Sequence, residues 1–291
     1  MMSTVPNKIE RLKAALLERL GVHERDRTLP TSNRFLFYEL EGKDDGHGVL
    51  VSKVKTGARR PDQDLIDALT ALREDGAVPW DWIVDETRHV EGVWRAKSIV
   101  DDLREYVALT KVDAWQWSHV RPFVICESRS LSGVLRSLCH RYGVNSASTN
   151  GQSAGFTRTK LAPSFDNQRR EQEILVLYCG DLDLGGADIE RNTRRVLEEA
   201  CGVSFGWERL MLTEQQVKEH RLTGIMKTDR RFKNGRGLHE AWECESLSQR
   251  LIVELLESRL NNLLLPKTIE QVERKEKRER VQVRVTKRGK R

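Results

Sequence analysis

The chain has 291 residues, with 50 Lys and Arg against 44 Asp and Glu, for a formal net charge of +6. That length suits two domains, because single cores rarely grow beyond about 250–300 residues. Charged residues make up 32% and hydrophobic ones 38%, as expected of a soluble globular chain, and the absence of any run of about 18 uncharged apolar residues excludes a membrane-spanning helix. The first residues carry no apolar stretch of the secretory type, so a cytoplasmic location is expected. The five cysteines contain no Cys-x-x-Cys pair, which argues against a disulfide framework or a zinc cluster. The charge is uneven. Lys267–Arg291 holds eleven basic and four acidic residues, a net +7, and the preceding residues sum to −1.

In chain order, residues 7–20 predict an amphipathic helix, with Ile9, Leu12, Leu16 and Leu20 three or four apart. Thr31-Ser-Asn supplies a helix start before the apolar, aromatic stretch Arg34–Leu40. Gly46–Lys55 suits a short strand pair. Pro61–Glu74 predicts a helix that Gly76 stops. These elements suit a winged-helix or helix-turn-helix unit, or a generic small α+β domain. A tryptophan-rich link (Trp80, Trp82, Trp94) leads to a predicted helix at 98–111. From Arg121 the pattern becomes strand, helix, strand, helix. Strands are expected at 122–126, 144–148, 173–179 and 207–212, and helices at 130–142, 153–164, 186–201 and 213–222. Such alternation implies a mostly parallel sheet, with ligands at the carboxyl ends of its strands. A helix at 246–265 follows, and Pro266 ends it. The basic tail has i,i+4 pairs such as Glu270 and Arg274, and partial helicity is expected there. The tryptophans, including Trp115 and Trp117, are read as packing between domains, and Cys126 and Cys179 as core.

Two constellations carry chemistry. Glu127 directly follows the first strand of the α/β part, and Asp181-Leu-Asp183-Leu-Gly-Gly186 directly follows a later one. In one parallel sheet these carboxylates gather at one edge. With no Lys or Arg beside them in sequence, they would repel one another unless a hard divalent cation intervened. Oxygen ligands suit Mg²⁺, which serves phosphate chemistry. The alternative is a surface turn that caps the next helix. The second constellation is Arg34 and Tyr38, one helical turn apart, where a guanidinium could hold a phenolate or a phosphate. Its alternative is an ordinary aromatic of a small core.

The chain resembles the A subunit of topoisomerase VI and the related meiotic double-strand-break proteins, especially their short stand-alone relatives. The resemblance rests on Arg34 and Tyr38, on Glu127, and on Asp181, Asp183 and Gly186. Asn150-Gly-Gln-Ser-Ala-Gly-Phe-Thr-Arg158, Leu212-Thr-Glu-Gln-Gln-Val and Trp242-Glu-Cys-Glu-Ser-Leu247 follow in order. It implies an α/β TOPRIM domain, a mostly parallel sheet with flanking helices, joined to an N-terminal winged-helix domain that bears the tyrosine. Boundaries are expected at 1–95 for the winged helix, 96–120 for a linker helix, 121–265 for TOPRIM and 266–291 for the tail. The implied activity is cleavage of double-stranded DNA through a 5′-phosphotyrosyl link, with Tyr38, Arg34 and Glu127 catalytic and Glu127, Asp181 and Asp183 holding Mg²⁺. It also implies a homodimer in which the tyrosine of one subunit meets the metal site of the other, and an ATPase partner subunit for strand passage. Arg158 and the acid-free end of the tail, with Lys287, Arg288, Lys290 and Arg291, are the expected DNA contacts. The sequence departs from the family at Leu184-Gly185, where Pro and an aromatic are usual. It also departs at Phe37-Tyr38, where two tyrosines are frequent, and at Glu245, where Asp is common. A TOPRIM nuclease using water, a non-catalytic dimeric DNA-binding module and a haloacid-dehalogenase-type phosphatase are the competing readings. The phosphatase ranks last, because Gly185 stands where that class has Thr.

Overall fold

A computed structural model describes residues 7–53, 60–84, 106, 110–151, 154–166, 172–228 and 238–285. The N-terminal part holds three helices: α1 (Lys8–Arg25), α2 (Asn33–Leu40) and α3 (Gln63–Glu74). Side-chain caps start the first two, Asn7 accepting from the Glu10 N–H and Ser32 from the Phe35 N–H. Leu12, Leu16 and Leu20 of α1 meet Leu36, Phe37 and Leu40 of α2 and Leu65, Leu69 and Leu72 of α3 in one aliphatic core. Between α2 and α3, where a strand pair is expected, the described residues form isolated bridges, Asp44 with Val49 and Glu41 with Val51.

The rest is mixed α/β. Strands β1 (Val120–Cys126), β2 (Asn145–Ser148), β3 (Glu173–Cys179) and β4 (Phe205–Met211) form a parallel sheet in the order β2-β1-β3-β4. Helix α4 (Arg129–Tyr142) joins β1 to β2 and ends at Gly143, whose φ of 63° lies in the left-handed region that favours glycine. A helical stretch α5 runs through Ala154–Phe156, a π turn Thr157–Leu161 and Ala162–Asp166. Helix α6 (Leu184–Ala200) joins β3 to β4, and α7 (Glu214–Glu219) starts in a capping box made by Thr213 and Gln216.

Alternation along the strands sends side chains to two different layers. Val124, Cys126, Leu177 and Cys179 enter the larger core with Leu131, Leu135 and Leu138 of α4. Phe123, Ile125, Val176 and Tyr178 enter a second core on the opposite face with Leu161, Phe165 and Leu197. Each buried side chain of this size is worth about 1.5–3 kcal/mol. An antiparallel hairpin, β5 (Ile225–Thr228) with β6 (Leu238–Ala241), lies outside the sheet and was not expected from sequence. Helices α8 (Gln249–Leu263) and α9 (Thr268–Val285) complete the described chain. Ile269 and Val272 of α9 are buried in the larger core, so the basic segment is no free appendage over this span.

The two halves interlock at α2. Its Leu36, Phe37 and Leu40 serve the N-terminal core, whereas Phe35 is fully buried in the core of the sheet half. The buried Gln249 side chain donates to the carbonyls of Thr28 and Pro30. Of the tryptophans, Trp115 is fully buried, but Trp80 and Trp117 are exposed and do not pack between the halves. Cys126 and Cys179 lie in the core, opposite one another on β1 and β3. Trp94 and most of the expected helix at 98–111 lie outside the described residues. No described helix is long and apolar enough to cross a membrane.

Candidate functional site

The register of the sheet assembles the acidic edge. Cys126 is the last residue of β1 and pairs with Cys179, the last of β3, so Glu127 and Gly180-Asp181 leave the sheet side by side. The Glu127 N–H donates to the Cys179 carbonyl, and a Glu127 carboxylate oxygen accepts from the Asp181 N–H at 3.0 Å. Asp181 accepts from the Cys244 N–H at 2.9 Å. Asp183 caps α6, accepting from the Gly186 N–H at 2.7 Å. Gly186 is required here because a Cβ would collide with the Asp181 carbonyl. Backbone geometry thus explains the two aspartates and the glycine that follows them.

The three carboxylates differ electrically. Burial, with Asp181 and Asp183 nearby, pushes Glu127 up to about 7. Burial and then Glu245 raise Asp181 above the ordinary carboxylate range. Asp183 is held below it: burial opposes this, but the Gly186 N–H and Lys227 outweigh burial.

Cations distant in sequence reach this edge, contrary to the expectation of an uncompensated acid cluster. Lys227 of β5 stands 2.9 Å from Asp183 and 3.4 Å from Glu243. Arg209 of β4 donates to the carbonyls of Gly180, Asp181 and Leu212 and pairs with Glu190, so it clamps the backbone where Asp181 leaves the strand. Arg34 of α2 crosses from the other half, 2.9 Å from Glu243 and 3.3 Å from Glu245. Burial alone would lower the Arg34 pKa, but Glu245, Glu243 and Asp181 raise it above its usual value.

The hairpin brings those glutamates into place. Leu182 and Trp242 bond reciprocally through their backbones, and the chain then runs through Glu243 into a 3₁₀ turn, Cys244–Ser246. Glu245 is 1% exposed. One of its oxygens accepts from the hydroxyls of Ser128 and Ser130, each at 2.7 Å, and the other, Oε2, has no hydrogen-bond partner. An orphaned buried carboxylate oxygen is costly unless a cation or a polar group satisfies it.

Tyr38 lies one turn beyond Arg34 on α2, in a cleft of about 640 Å³ that Arg34, Lys53, Arg60, Asp62 and Glu243 also line. The Lys53 ammonium sits 4.1 Å from the centroid of its ring. Glu127, Asp181 and Asp183 do not line this cleft. Arg34 faces the glutamates of the sheet half, so the expected pairing of Arg34 with Tyr38 becomes a link between halves. Arg158 lies on the π turn and pairs with Glu199 at 2.6 Å, near the far end of α6. Sixteen helical residues, about 24 Å of rise, separate Glu199 from Asp183. Lys287, Arg288, Lys290 and Arg291 lie outside the described residues.

Among the described residues, no group of three or more His, Cys, Asp and Glu side chains is arranged to hold a metal ion. The donor chemistry still fits a hard cation. It is all oxygen, the burial and crowding that raise Glu127 and Asp181 would be relieved by positive charge, and Glu245 Oε2 is unsatisfied. Sequence reasoning missed Lys227, Arg209 and Lys53. None has a local signal, because each acts on partners brought near only by the fold. No family model, curated protein or solved structure matches the chain.

Proposed function

We propose that the protein binds double-stranded DNA and cuts it in the manner of the topoisomerase VI A subunit. The observation that carries this reading is the position of α2. The helix that bears Tyr38 packs on the acidic edge of the parallel sheet, and Arg34 ties it to Glu243 and Glu245. Arg34 thus lies between the Tyr38 cleft and the glutamates that flank the acidic edge. The N-terminal half acts as the winged-helix unit and the sheet half as the TOPRIM unit.

In the reaction, the Tyr38 phenol loses its proton to solvent and its oxygen bonds to a DNA phosphorus. The bond from that phosphorus to the 3′ oxygen breaks, leaving a 5′-phosphotyrosyl link and a 3′ hydroxyl that takes a proton from solvent. Arg34, Lys53 and Arg60 orient the phosphate in the cleft. Glu127 and Asp181, with Asp183, would hold Mg²⁺, which would supply neutralisation of charge on the phosphate and the leaving oxygen. On this reading the working unit is a homodimer in which the tyrosine serves the acidic edge of a second copy, in keeping with a Tyr38 cleft that Glu127, Asp181 and Asp183 do not line. Strand passage falls to an ATPase partner. The basic face of α9, where Arg274, Lys277 and Arg278 lie together, and the tail beyond it add phosphate affinity.

Supercoiled DNA, Mg²⁺ and a detergent quench test the reading. Wild-type protein should give a covalent protein–DNA species, and Tyr38→Phe should lose it by at least about a hundredfold. No adduct in the wild type, or an undiminished one in the variant, overturns it. One observation favours hydrolysis by water instead: Glu127, raised to about 7, can exchange a proton near neutral pH, and Tyr38 opens into a separate cleft. On that reading, Tyr38→Phe still nicks DNA and Asp181→Ala does not.

A further inference from the structure

The Tyr38 cleft contains a cation whose placement needs an explanation. Lys53 follows the bridge that joins Val51 to Glu41, the residue that ends α2. Glu41 holds it at both ends, one carboxylate oxygen accepting from the Lys53 N–H at 3.3 Å and the other lying 3.2 Å from its ammonium. The ammonium is thereby set over the face of the Tyr38 ring, 4.1 Å from the centroid. A cation in that position is attracted by the π face. It also opposes its own burial, which together with Lys227 and Arg34 pulls the ammonium below its ordinary pKa against the pull of Glu41.

Three cations from three different segments line the cleft of the tyrosine: Arg34 from α2, Lys53 from the bridge and Arg60 ahead of α3, while Lys227 of the hairpin acts on Lys53 from beyond it. The acids facing them are Glu41 beside Lys53, Glu243 between Arg34 and Lys227, and Asp62 beside Arg60 at the start of α3. Repulsion among the cations would be relieved by an anion in the cleft. The group already in the cleft that can become an anion is the phenol of Tyr38.

We propose that Lys53 is a positioning residue that favours the phenolate form of Tyr38 over the phenol, and so sets the acidity of the nucleophile. This rests on Tyr38 being the nucleophile of the proposed cleavage, but the proton equilibrium exists in the protein without DNA. The step is only the loss of the phenol proton to solvent. The ring turns anionic beneath an ammonium that Glu41 keeps in place.

The full chain, labelled with ¹³C at the ring carbon bearing the hydroxyl, gives four tyrosine signals by NMR. Tyr38→Phe assigns the relevant one by its disappearance. Titration should show the Tyr38 midpoint higher by about one pH unit in Lys53→Met than in the wild type, about a tenfold loss of phenolate at a given pH. Lys53→Arg should stay near the wild type. Lys53→Gln keeps a hydrogen bond to Glu41 without the charge and should shift like Lys53→Met, which covers failure of either variant to fold. Equal midpoints in the wild type and in whichever neutral variant folds overturn the inference. A shifted midpoint without a DNA adduct leaves the inference standing and overturns the cleavage reading. An adduct without a shift does the reverse.

Discussion

The two halves of the molecule treat charge in opposite ways. The N-terminal half has a sealed leucine-rich core, against which Tyr38 is partly packed, and α2 presents Arg34 and Tyr38 to a cleft that Lys53 and Arg60 also line. The sheet half crowds carboxylates at one edge, where burial raises Glu127 and Asp181. Each half is electrically incomplete at the junction. Arg34 is the main correction, because it places one guanidinium between two glutamates of the other half. The difference teaches that the site belongs to the junction and to neither half alone.

The strongest way to break that picture is to remove the link. Arg34→Ala leaves the buried Glu245 without its cation and should cost about 3 kcal/mol in urea unfolding. The half-exposed position of Arg34 keeps the effect below that of a fully buried pair. Adding Glu245→Gln should recover much of the loss, because the stranded charge is then gone. Additive losses would mean that the two side chains are not coupled.

The next test concerns the raised pKa of Glu127. Its folded-state pKa, about 7, lies above that of the unfolded chain. The stability it confers is therefore complete below the ordinary carboxylate range and is lost as pH rises through about 7. Glu127→Gln should consequently stabilise the protein at pH 8 by about 2 kcal/mol and have little effect at pH 4. Thermal unfolding at the two pH values checks this, and a pH-independent difference contradicts it.

The smallest effect is expected at Asp183, whose carboxylate caps α6 and pairs with Lys227. Asp183→Asn keeps a capping oxygen and loses the ion pair, for about 1 kcal/mol. Asp183→Ala loses both and should cost about twice that. Equal costs would show that the pair contributes nothing.

Much of this architecture was legible in the chain. Glu173–Cys179 reads as a buried strand because it is continuously apolar from Ile174 on, and the strand appears with those bounds. Ser32, Gly76 and Gly143 mark helix ends through local chemistry. Glu127, Asp181 and Asp183 stand out because each directly follows a strand. The hairpin at Ile225–Thr228 and Leu238–Ala241 was not legible, since four-residue strands with weak alternation resemble any polar loop. Without the hairpin, neither Lys227 nor the approach of Glu243 and Glu245 to the edge could be foreseen. Arg34 was visible, but its partner lies 209 residues away.

The sequence by itself determined the local units: helix periods and caps, apolar strands, the carboxylates that end them and the glycine that Asp181 needs. These follow from interactions within about four residues, which composition and spacing encode directly. Only the tertiary structure decided the charge balance. Coulomb forces act between groups brought within a few ångströms, and it is the parallel register, the hairpin and the docking of α2 that set those distances.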